Sequence, residues 1–580
     1  MEIQLDQTEV KLQLQLPSRR DVLKKAFWGA AALSNPMKIF DFVNYLPLNN
    51  VSQQAETQAR VTDFSALIEG ILTDPTLSGE QKNRVELMKA YAGSPDVPGS
   101  GDQNLIRQFN GIYDAGRISA FLNGPRTGEG SPGMRCIDFS CPVKSTFYFF
   151  WFNDANGEHV DRTMEFPDSP QYPEISYLNK EWHKRQLLEM AFAGFDIMYM
   201  VDWYLPHKGN KADNTWARGN GMKAFLEAYS ELNLVLEMTG TTDLKLPKIG
   251  QLHDTLKYKS LLMNNEGKGI DMMTGHGLTN FILPILDFWT MIPPRFWAFR
   301  QDDNGGISPV ILTYQPALYN SNPVGNPSGD GIDQTGFDLT RVFFAKMFGR
   351  RVNPLIINEN SWRNNHGISS EANFAWGASL YGVTVSQTDS FAVIQVGPGF
   401  DERRVTTDVE GRDFSSQIIA GEDINFDEGT ENIHNNEMPR RRNRDHGRVF
   451  INDFIQILNQ VKIMNKPVLI QFETFNESHE ANDIRSSKQL GWDYVFLSRI
   501  VNMLLTGINF SAPGNETAVM IDDAINRLQS LLALIDTQVG RQRTNPELTT
   551  RPLQRALAGF ISDRSNSNFG FPVSDSLGIS

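Results

Sequence analysis

The sequence predicts an α/β protein, a closed (β/α)8 barrel (TIM barrel) with helical additions at its N-terminal and C-terminal ends. Two observations predict this fold class. After Cys141, short apolar runs alternate with helical stretches, which is typical of repeated βα units. None of these runs is followed by G-x-G-x-x-G or by a P-loop, as an open doubly wound sheet with a nucleotide site would require. The closed barrel is therefore favoured over the open sheet.

Seven apolar runs are predicted to be strands. They are "STFYFFWF" (145–152), "FDIMYMVDW" (195–203), "LNLVLEM" (232–238), "SPVILTY" (308–314), "NPLIINEN" (353–360), "FAVIQVGPG" (391–399) and "KPVLIQFE" (466–473). A further strand around 260–263 would complete a barrel of eight. Helical spacing of apolar residues predicts helices between several of these strands, over residues 179–193, 222–232, 279–290, 339–348 and 450–464.

The chain divides into four predicted segments: a polar, Gln-rich leader (1–60), a helical region (61–130), the barrel (140–510), and a C-terminal helix with an irregular tail (511–580). Two breaks rich in Gly and Pro, "AGSPDVPGSGD" and "NGPRTGEGSPG", separate the helical region from the barrel. The helices that flank the barrel make association into a homo-oligomer an expectation.

The composition excludes several classes of function. A net charge of -14 repels phosphate backbones, so nucleic acid is not an expected partner. The basic run at 440–444 lies among acidic residues and is interpreted as a solvated loop. No uninterrupted run of eighteen apolar residues occurs, so no integral membrane segment is expected.

Cysteine and histidine usage argues against a metal centre. The two cysteines, Cys136 and Cys141, exclude a disulfide framework and a four-cysteine zinc site, and could form one local disulfide if the compartment is oxidising. The nine histidines show no H-x-x-x-H pairing. There is no G-x-S-x-G nucleophile elbow, and no motif predicts a cofactor.

The N-terminal stretch "PSRRDVLKKAFWGAAALSNP" is the one candidate address signal. Its Ser18-Arg19-Arg20 and Leu23-Lys24 are similar to the S-R-R-x-x-L-K core of a twin-arginine export signal. This similarity predicts an extracytoplasmic protein, periplasmic or secreted. The alternative is an amphipathic helix with an Arg-rich start in a cytoplasmic protein.

Polar and aromatic residues follow the predicted strands. In a barrel, the carboxyl ends of all strands share one face, where carboxylates could accept hydrogen bonds from sugar hydroxyls and rings could stack on sugar faces. Each residue taken alone could instead be a helix cap or a turn residue. The predicted carbohydrate contacts are Asp202, Trp203, Glu237, Tyr314, Glu359, Trp362, Asp401, Glu473, Asn476 and His479.

Four stretches, which together span about residues 140 to 500, carry a family resemblance. They are "KEWHKRQLLEMAFAGFDIMYMVDWY", "FWTMIPPRFWAFRQDDNGGISPVILTY", "AWGASLYG" with "VIQVGPGFDERRV", and "TFNESHEAND" with "LGWDYVFL". In this order along the chain they resemble elements of glycoside hydrolase family 99, the endo-α-mannosidase group, and of related bacterial domains. The last stretch is similar to the family's N-E-W-H-E-G-T element.

The resemblance implies that Glu477 and Glu480 are the catalytic carboxylates. In the family, the first removes the proton of the sugar 2-hydroxyl, and the second protonates the glycosidic oxygen and later activates water. The i, i+3 spacing fits this pairing, because such positions hold Cβ atoms roughly 5–6 Å apart and retaining glycosidases separate their carboxyls by ~5 Å. Ser478 stands where the family has an aromatic residue, so the resemblance implies hydrolysis more than endo-mannosidase specificity.

The sequence thus predicts a retaining glycoside hydrolase that acts on an extracellular or envelope polysaccharide. The alternative is a catalytically silent barrel that binds a glycan or serves in assembly, with Trp203, Trp362 and Tyr314 as stacking platforms. In that case Asn476 would cap a helix, and Glu477 and Glu480 would be the acids of its first turn.

Overall fold

A computed structural model describes fourteen ranges of the chain. They are 64–93, 136–149, 176–202, 220–239, 244–255, 272–301, 305–314, 334–388, 392–401, 441–464, 466–476, 483–486, 490–548 and 550–563. Several predictions lie outside these residues. They are the leader with Arg19 and Arg20, the strand around 260–263, and the site residues Trp203, Glu477, His479 and Glu480.

Strands and helices alternate along most of the described chain. The strands are β1 (Val143–Tyr148), β2 (Ile197–Asp202), β3 (Lys248–Asp254), β4 (Phe299–Gln301), β5 (Ile307–Tyr314), β6 (Leu355–Glu359), β7 (Ala372–Phe374), β8 (Thr384–Gln387), β9 (Ala392–Val396), β10 (Phe400–Asp401), β11 (Arg441–Arg442) and β12 (Val468–Phe472). The helices are α1 (Phe64–Leu72), α2 (Gly79–Gly93), α3 (Lys180–Ala193), α4 (Asn220–Thr239), α5 (Gly275–Met291), α6 (Gln334–Phe348), α7 (Asn360–His366), α8 (Ala378–Tyr381), α9 (Arg448–Met464), α10 (Asp493–Thr506), α11 (Glu516–Thr544) and α12 (Pro552–Ser562).

The strands form a nearly closed, barrel-like sheet. Its order is β7-β6-β5-β3-β2-β1-β12-β9-β8, and all neighbours are parallel except β8, which runs antiparallel to β9. The first strand pairs with both the second and the last long strand, so that Ser145 lies opposite Ile197 on one side and Gln471 on the other. At the open seam, β7 lies against β8 and β9. The parallel direction of the other eight strands in this order is consistent with a barrel.

Aromatic side chains from distant strands meet inside this sheet. The ring of Phe147 on β1 lies 5.9 Å from that of Tyr199 on β2 and 5.0 Å from that of Trp376, which follows β7. The Trp376 ring lies 5.0 Å from that of Tyr314 on β5. Neighbouring strands are about 4.8 Å apart, so side chains from β1, β5 and the end of β7 can meet only because the sheet curls around a common interior.

Helices cover the outer face of the sheet. Helix α3 begins at an Asn179 cap, whose side chain accepts a hydrogen bond from the backbone N–H of Glu181. It packs on α4 and α10, with the Phe192 and Phe496 rings 5.2 Å apart. At the ends of the described chain, α1 and α2 pack on α6 and α5, while α11 and α12 pack on α9 and α10. The flanking helices therefore extend the helical layer around the sheet.

Six of the seven predicted strands are confirmed, and the third is wrong. Residues 232–238 form the end of α4, with Leu232 and Val235 buried and Glu237 exposed. A short apolar run fits a strand and a buried helix equally well, so its spacing could not decide between them. The third strand of the sheet is β3, "KIGQLHD", which has only two large apolar residues. The short strand β7 was also missed.

The structure also bears on the cysteines and on membrane insertion. Cys136 is exposed and Cys141 is partly buried. Both are free thiols, so the local disulfide that the sequence allows is not formed in this structure. Within the described ranges, no helix has the length and apolarity to cross a membrane.

Close packing holds the seam of the sheet together. Gly397, directly after β9, lies against Ser379 of α8, and a Cβ at this position would come 1.8 Å from the Ser379 Oγ and 2.5 Å from its Cα. At the other end of these strands, the Thr388 hydroxyl donates a hydrogen bond to the carbonyl of Glu371, just before β7. The seam thus depends on a residue without a side chain at 397.

We predict that Gly397→Ala lowers the free energy of unfolding by about 1–3 kcal/mol, because the added methyl group must displace backbone at residue 379. The matched control is Gly540→Ala in α11, where nothing lies within 4 Å of the added Cβ. Alanine is the better helix former, so the control should be as stable as wild type or more so. Urea unfolding followed by circular dichroism measures both, and equal midpoints for the two variants would contradict the seam packing.

Candidate active site

Alternation along the strands decides which residues at the carboxyl ends face the interior. Tyr199 faces the interior and lies opposite Gly250 of β3. Four residues further on, Asp254 points to the same face and lies opposite Tyr314 at the end of β5. The register of β5 with β6 places Glu359 on this face as well. Asp254, Tyr314 and Glu359 thus border the interior at the carboxyl ends of three adjacent strands, and we call this region the mouth.

Asp254 was missed in the sequence because β3 was missed. It is buried at the last position of the strand, and the hydroxyl of the next residue, Thr255, donates a 2.5 Å hydrogen bond to the carbonyl of Tyr314. The available signal was the position of "KIGQLHD" between two predicted helices, with Pro247 directly before it. A segment between two helices of a βα repeat is where a strand is required.

Glu359 is a carboxyl group with a perturbed pKa. Its side chain caps α7 by accepting hydrogen bonds from the backbone N–H of Ser361, at 3.1 Å, and from the Ser361 hydroxyl. Partial burial raises the pKa of Glu359, and these hydrogen bonds only partly oppose the rise. A carboxyl with a raised pKa at the carboxyl ends of the strands is a candidate proton donor.

Glu473, the first acid of "LIQFETFNESHEAND", holds the protein backbone. Its Oε1 accepts a hydrogen bond from the N–H of Gly377 at 2.8 Å, and its Oε2 accepts one from the N–H of Ser379 at 3.0 Å. The Ser379 hydroxyl donates to the Glu473 carbonyl at 2.6 Å, and the peptide bond between Glu473 and Thr474 is cis. The carboxylate thus caps α8, in the connection after β7, and this use of both oxygens is not the substrate contact that the sequence suggested.

Asn476 fixes the next part of this stretch to β1. Its side-chain oxygen accepts a hydrogen bond from the N–H of Phe149, and its side-chain nitrogen donates to the carbonyl of Phe149, both at 2.8 Å. The backbone N–H of Phe475 donates to the carbonyl of Phe147 at 3.1 Å. The amide group therefore acts as one more peptide unit and extends the pairing of β1 with β12.

A buried ionic cluster fixes the chain directly after residues 477–482. Arg444 donates to the carbonyl of Asp483 at 2.6 Å, and Arg485 lies 3.1 Å from the Asp483 carboxylate. The Arg444 guanidinium also lies 4.6 Å from the centre of the Tyr494 ring. All three charged residues are at most 2% exposed. Charges buried this deeply require paired partners, so the cluster holds residues 483–485 in one arrangement.

A second buried acid anchors residue 486 to the helical layer. Glu189 of α3 accepts a 2.9 Å hydrogen bond from the backbone N–H of Ser486 and a 2.6 Å bond from Nε of Arg185. Arg185 in turn lies 4.8 Å from the centre of the Trp492 ring. The described residues on both sides of 477–482 are therefore held by buried polar contacts.

The predicted contacts Asp202 and Trp362 lie outside the mouth. Asp202 points to the outer face, where it accepts a 2.9 Å hydrogen bond from Gln251, which itself accepts one from Trp289 of α5. The last residue of a strand faces either side, and β2 ends on its outer side. Trp362 is fully buried with its ring 5.1 Å from that of Phe337, so it has no face for a sugar.

The remaining predicted contacts are placed as follows. Glu237 is exposed near the C-terminus of α4, the helix that leads to the amino end of β3, and it accepts a hydrogen bond from Asn233. It therefore lies at the end of the sheet opposite the mouth. For Asp401, the backbone pairs with Arg441 between β10 and β11.

Within the described ranges, no group of three His, Cys, Asp or Glu side chains could hold a metal ion.

Comparisons with known proteins give a distant structural similarity. No protein-family model matches the chain, and no curated protein matches it. A solved structure of the family 99 endo-α-mannosidase from Bacteroides thetaiotaomicron, in complex with bis-tris propane, is similar at 12% identity and a TM-score of 0.33, over 68% of this chain and 99% of that one. A second structure of that enzyme gives 12% identity and a TM-score of 0.32, over 67% and 98%. Similarity at this level assigns neither an activity nor residue roles.

We predict that Glu473→Gln lowers the free energy of unfolding by about 1–3 kcal/mol, because the amide nitrogen would face a backbone N–H that needs an acceptor. The control is Glu237→Gln, the same change at an exposed helical position. Chemical denaturation measures both. A Glu473→Gln protein as stable as the control would show that the carboxylate is not a structural anchor.

The free energy of unfolding should depend on pH through Glu359. A carboxyl whose pKa is higher in the folded than in the unfolded chain binds more protons when folded, so the free energy of unfolding falls as the pH rises between the two pKa values. We expect Glu359→Gln to lose this dependence. The stability of the variant relative to wild type should therefore increase as the pH rises from the ordinary glutamate pKa, 4.5, through the raised one. Urea unfolding in steps between acid and neutral pH tests this, and a constant difference would contradict it.

Proposed function

We propose that the chain is a (β/α)8-barrel glycoside hydrolase that cleaves a polysaccharide at the mouth. The observation that carries the proposal is the convergence of Asp254, Tyr314 and Glu359 on the interior side of three adjacent strand ends. Carboxylates and a phenol can bind sugar hydroxyls, and the Trp376 ring, 5.0 Å from that of Tyr314, adds apolar surface beside them. A site at the carboxyl ends of parallel strands is also where barrels carry their chemistry.

Glu477 and Glu480 are the proposed catalytic carboxylates. Glu477 directly follows Asn476, which is bonded to the end of β1. Because consecutive Cα atoms are about 3.8 Å apart, this anchor supports a proposed location for Glu477 near the carboxyl end of β1. The assignment of roles rests on the motif "TFNESHEAND".

The proposed reaction has two steps. In the first, Glu477 takes the proton of the sugar 2-hydroxyl while that oxygen bonds to the anomeric carbon, and Glu480 gives its proton to the departing glycosidic oxygen. In the second, Glu480 takes a proton from water as the water oxygen bonds to the anomeric carbon. The 2-oxygen leaves that carbon and recovers its proton from Glu477, so the configuration is retained.

Other residues would hold the substrate. Asp254 and Tyr314 would bind hydroxyl groups, and Glu359, with its raised pKa, would donate a hydrogen bond while protonated. Trp203, Asp401 and His479 remain proposed contacts.

A second candidate function is a catalytically silent barrel that binds a glycan or serves in assembly. One observation favours it: Glu473 and Asn476, the described polar residues at the start of the acid-rich stretch, both bind backbone groups. If Glu477 and Glu480 served the same purpose, the barrel would keep its shape without an active site.

Cell location, domain division and assembly are further parts of the proposal. Export would follow from the twin-arginine pattern at Arg19 and Arg20, with a cytoplasmic location as the alternative. The proposed segments remain 1–60, 61–130, 140–510 and 511–580. Self-association would use the flanking helices, of which α11 and α12 form one described part.

The test is glycan release from a panel of α- and β-linked polysaccharides by wild type, Glu477→Gln and Glu480→Gln, with thermal unfolding as the check of folding. We expect wild type to cleave one class and both variants to remain folded and lose activity by about 10² or more. Glu237→Gln, an exposed change at the other end of the sheet, should keep full activity. If wild type releases nothing from any member of the panel while both variants lose thermal stability, the silent barrel is correct.

A further inference from the structure

The connection between β7 and β8 brings two aromatic residues to the carboxyl end of the sheet. Trp376 is partly exposed, and its ring lies 5.0 Å from Phe147 at 59° and 5.0 Å from Tyr314 at 54°. Tyr381 is 60% exposed. A Cβ on Gly377 would come 2.9 Å from Cδ2 of Tyr381, so this ring lies beside the residue that follows Trp376. We call Trp376 and Tyr381 the aromatic wall.

The backbone of the wall is held rigidly from two sides. The Glu473 carboxylate binds the N–H groups of Gly377 and Ser379, as described above. From the other side, Arg442 donates a 3.1 Å hydrogen bond to the carbonyl of Ala378 and forms a 2.8 Å ion pair with Asp453 of α9. Gly377 itself has a φ of 109°, which other residues rarely adopt. These contacts therefore fix the backbone that carries both rings before any ligand binds.

We propose that the aromatic wall is a subsite that stacks against the apolar C–H face of a pyranose ring in an oligosaccharide. This inference rests on the proposed function, since it assigns a substrate contact to the same mouth. A large, rigid ring provides apolar contact area at a small cost in conformational entropy. Tyr314, which contacts Trp376, and Glu359 on the adjacent strand place hydroxyl and carboxyl groups where the edge of such a sugar would lie.

A different role for Trp376 would be to close the top of the interior as part of the core. That role accounts for its contacts with Phe147 and Tyr314, but it does not account for the exposed Tyr381 on the same braced connection. The two roles differ in what they require of Tyr381, because an exposed ring contributes little to folding. Tyr381 is therefore the more informative position.

Affinity electrophoresis in gels that contain a soluble α-mannan, laminarin (a β-1,3-glucan) or hydroxyethyl cellulose measures binding without cleavage when all proteins carry Glu480→Gln. The variants are Tyr381→Ala, Trp376→Ala and the conservative Trp376→Phe. The control is Met238→Ala, which removes another exposed apolar side chain, near the C-terminus of α4. Hydrolysis by the same substitutions in the wild-type background gives KM and kcat.

We expect one polysaccharide to retard the Glu480→Gln protein in the gel. Adding Tyr381→Ala or Trp376→Ala should weaken this binding about tenfold or more. Trp376→Phe should retain most of the binding. In hydrolysis, the loss should fall mainly on KM. If the polysaccharide is cleaved and Tyr381→Ala binds it as tightly as the Met238→Ala control, the aromatic wall is not a subsite and the proposed function stands. If no polysaccharide is bound or cleaved by any protein, the proposed function falls, and the wall proposal falls with it.

Discussion

The hydrogen bonds between the Glu473 carboxylate and two backbone N–H groups of the β7–β8 connection are the contact on which the position of the aromatic wall depends. Glu473 directly follows β12, whereas Gly377 and Ser379 follow β7, so the carboxylate links two strand ends that the sheet does not pair. Hydrogen bonds to an ionised group are among the strongest in proteins. One side chain therefore sets the distance between the end of β12 on one side and the aromatic wall on the other.

Buried charges fix residues 483–486 in a similar way. Arg444, Asp483 and Arg485 form one cluster, and Glu189 holds Ser486. Removing ions from water costs several kcal/mol each, so such clusters add little net stability, yet loss of one partner destabilises a protein by about 3–5 kcal/mol. Their effect is thus to exclude other arrangements of the chain. A segment held by buried charges before and after it is suited to carrying groups that must be placed accurately.

The sequence predicts more of the strands and helices than of the side chains at the candidate site. Runs such as "VLIQF" are mostly apolar, with Gln471 as the one polar residue, because a parallel strand is buried on both faces, and this made β12 and five other strands recognisable. The pattern failed where composition and structure diverge, as in β3 with its Gln and His, and in the apolar end of α4. The direction of a side chain at a strand end was harder still. Asp202 and Asp254 end two neighbouring strands, β2 and β3, but only Asp254 faces the interior. A shift of one residue in the register of β2 would turn the Asp202 side chain to the interior as well.

The proposed function and the aromatic wall both require a carbohydrate to bind beside the wall at the carboxyl end of the sheet. A crystal structure of the Glu480→Gln protein soaked with oligosaccharides of the polysaccharide that it binds would locate this carbohydrate. We expect a sugar ring stacked on Trp376 or Tyr381, with hydroxyl groups within hydrogen-bond distance of Tyr314, Glu359 or Asp254. A sugar bound elsewhere on the protein, with the mouth filled by protein side chains, would rule out this binding site.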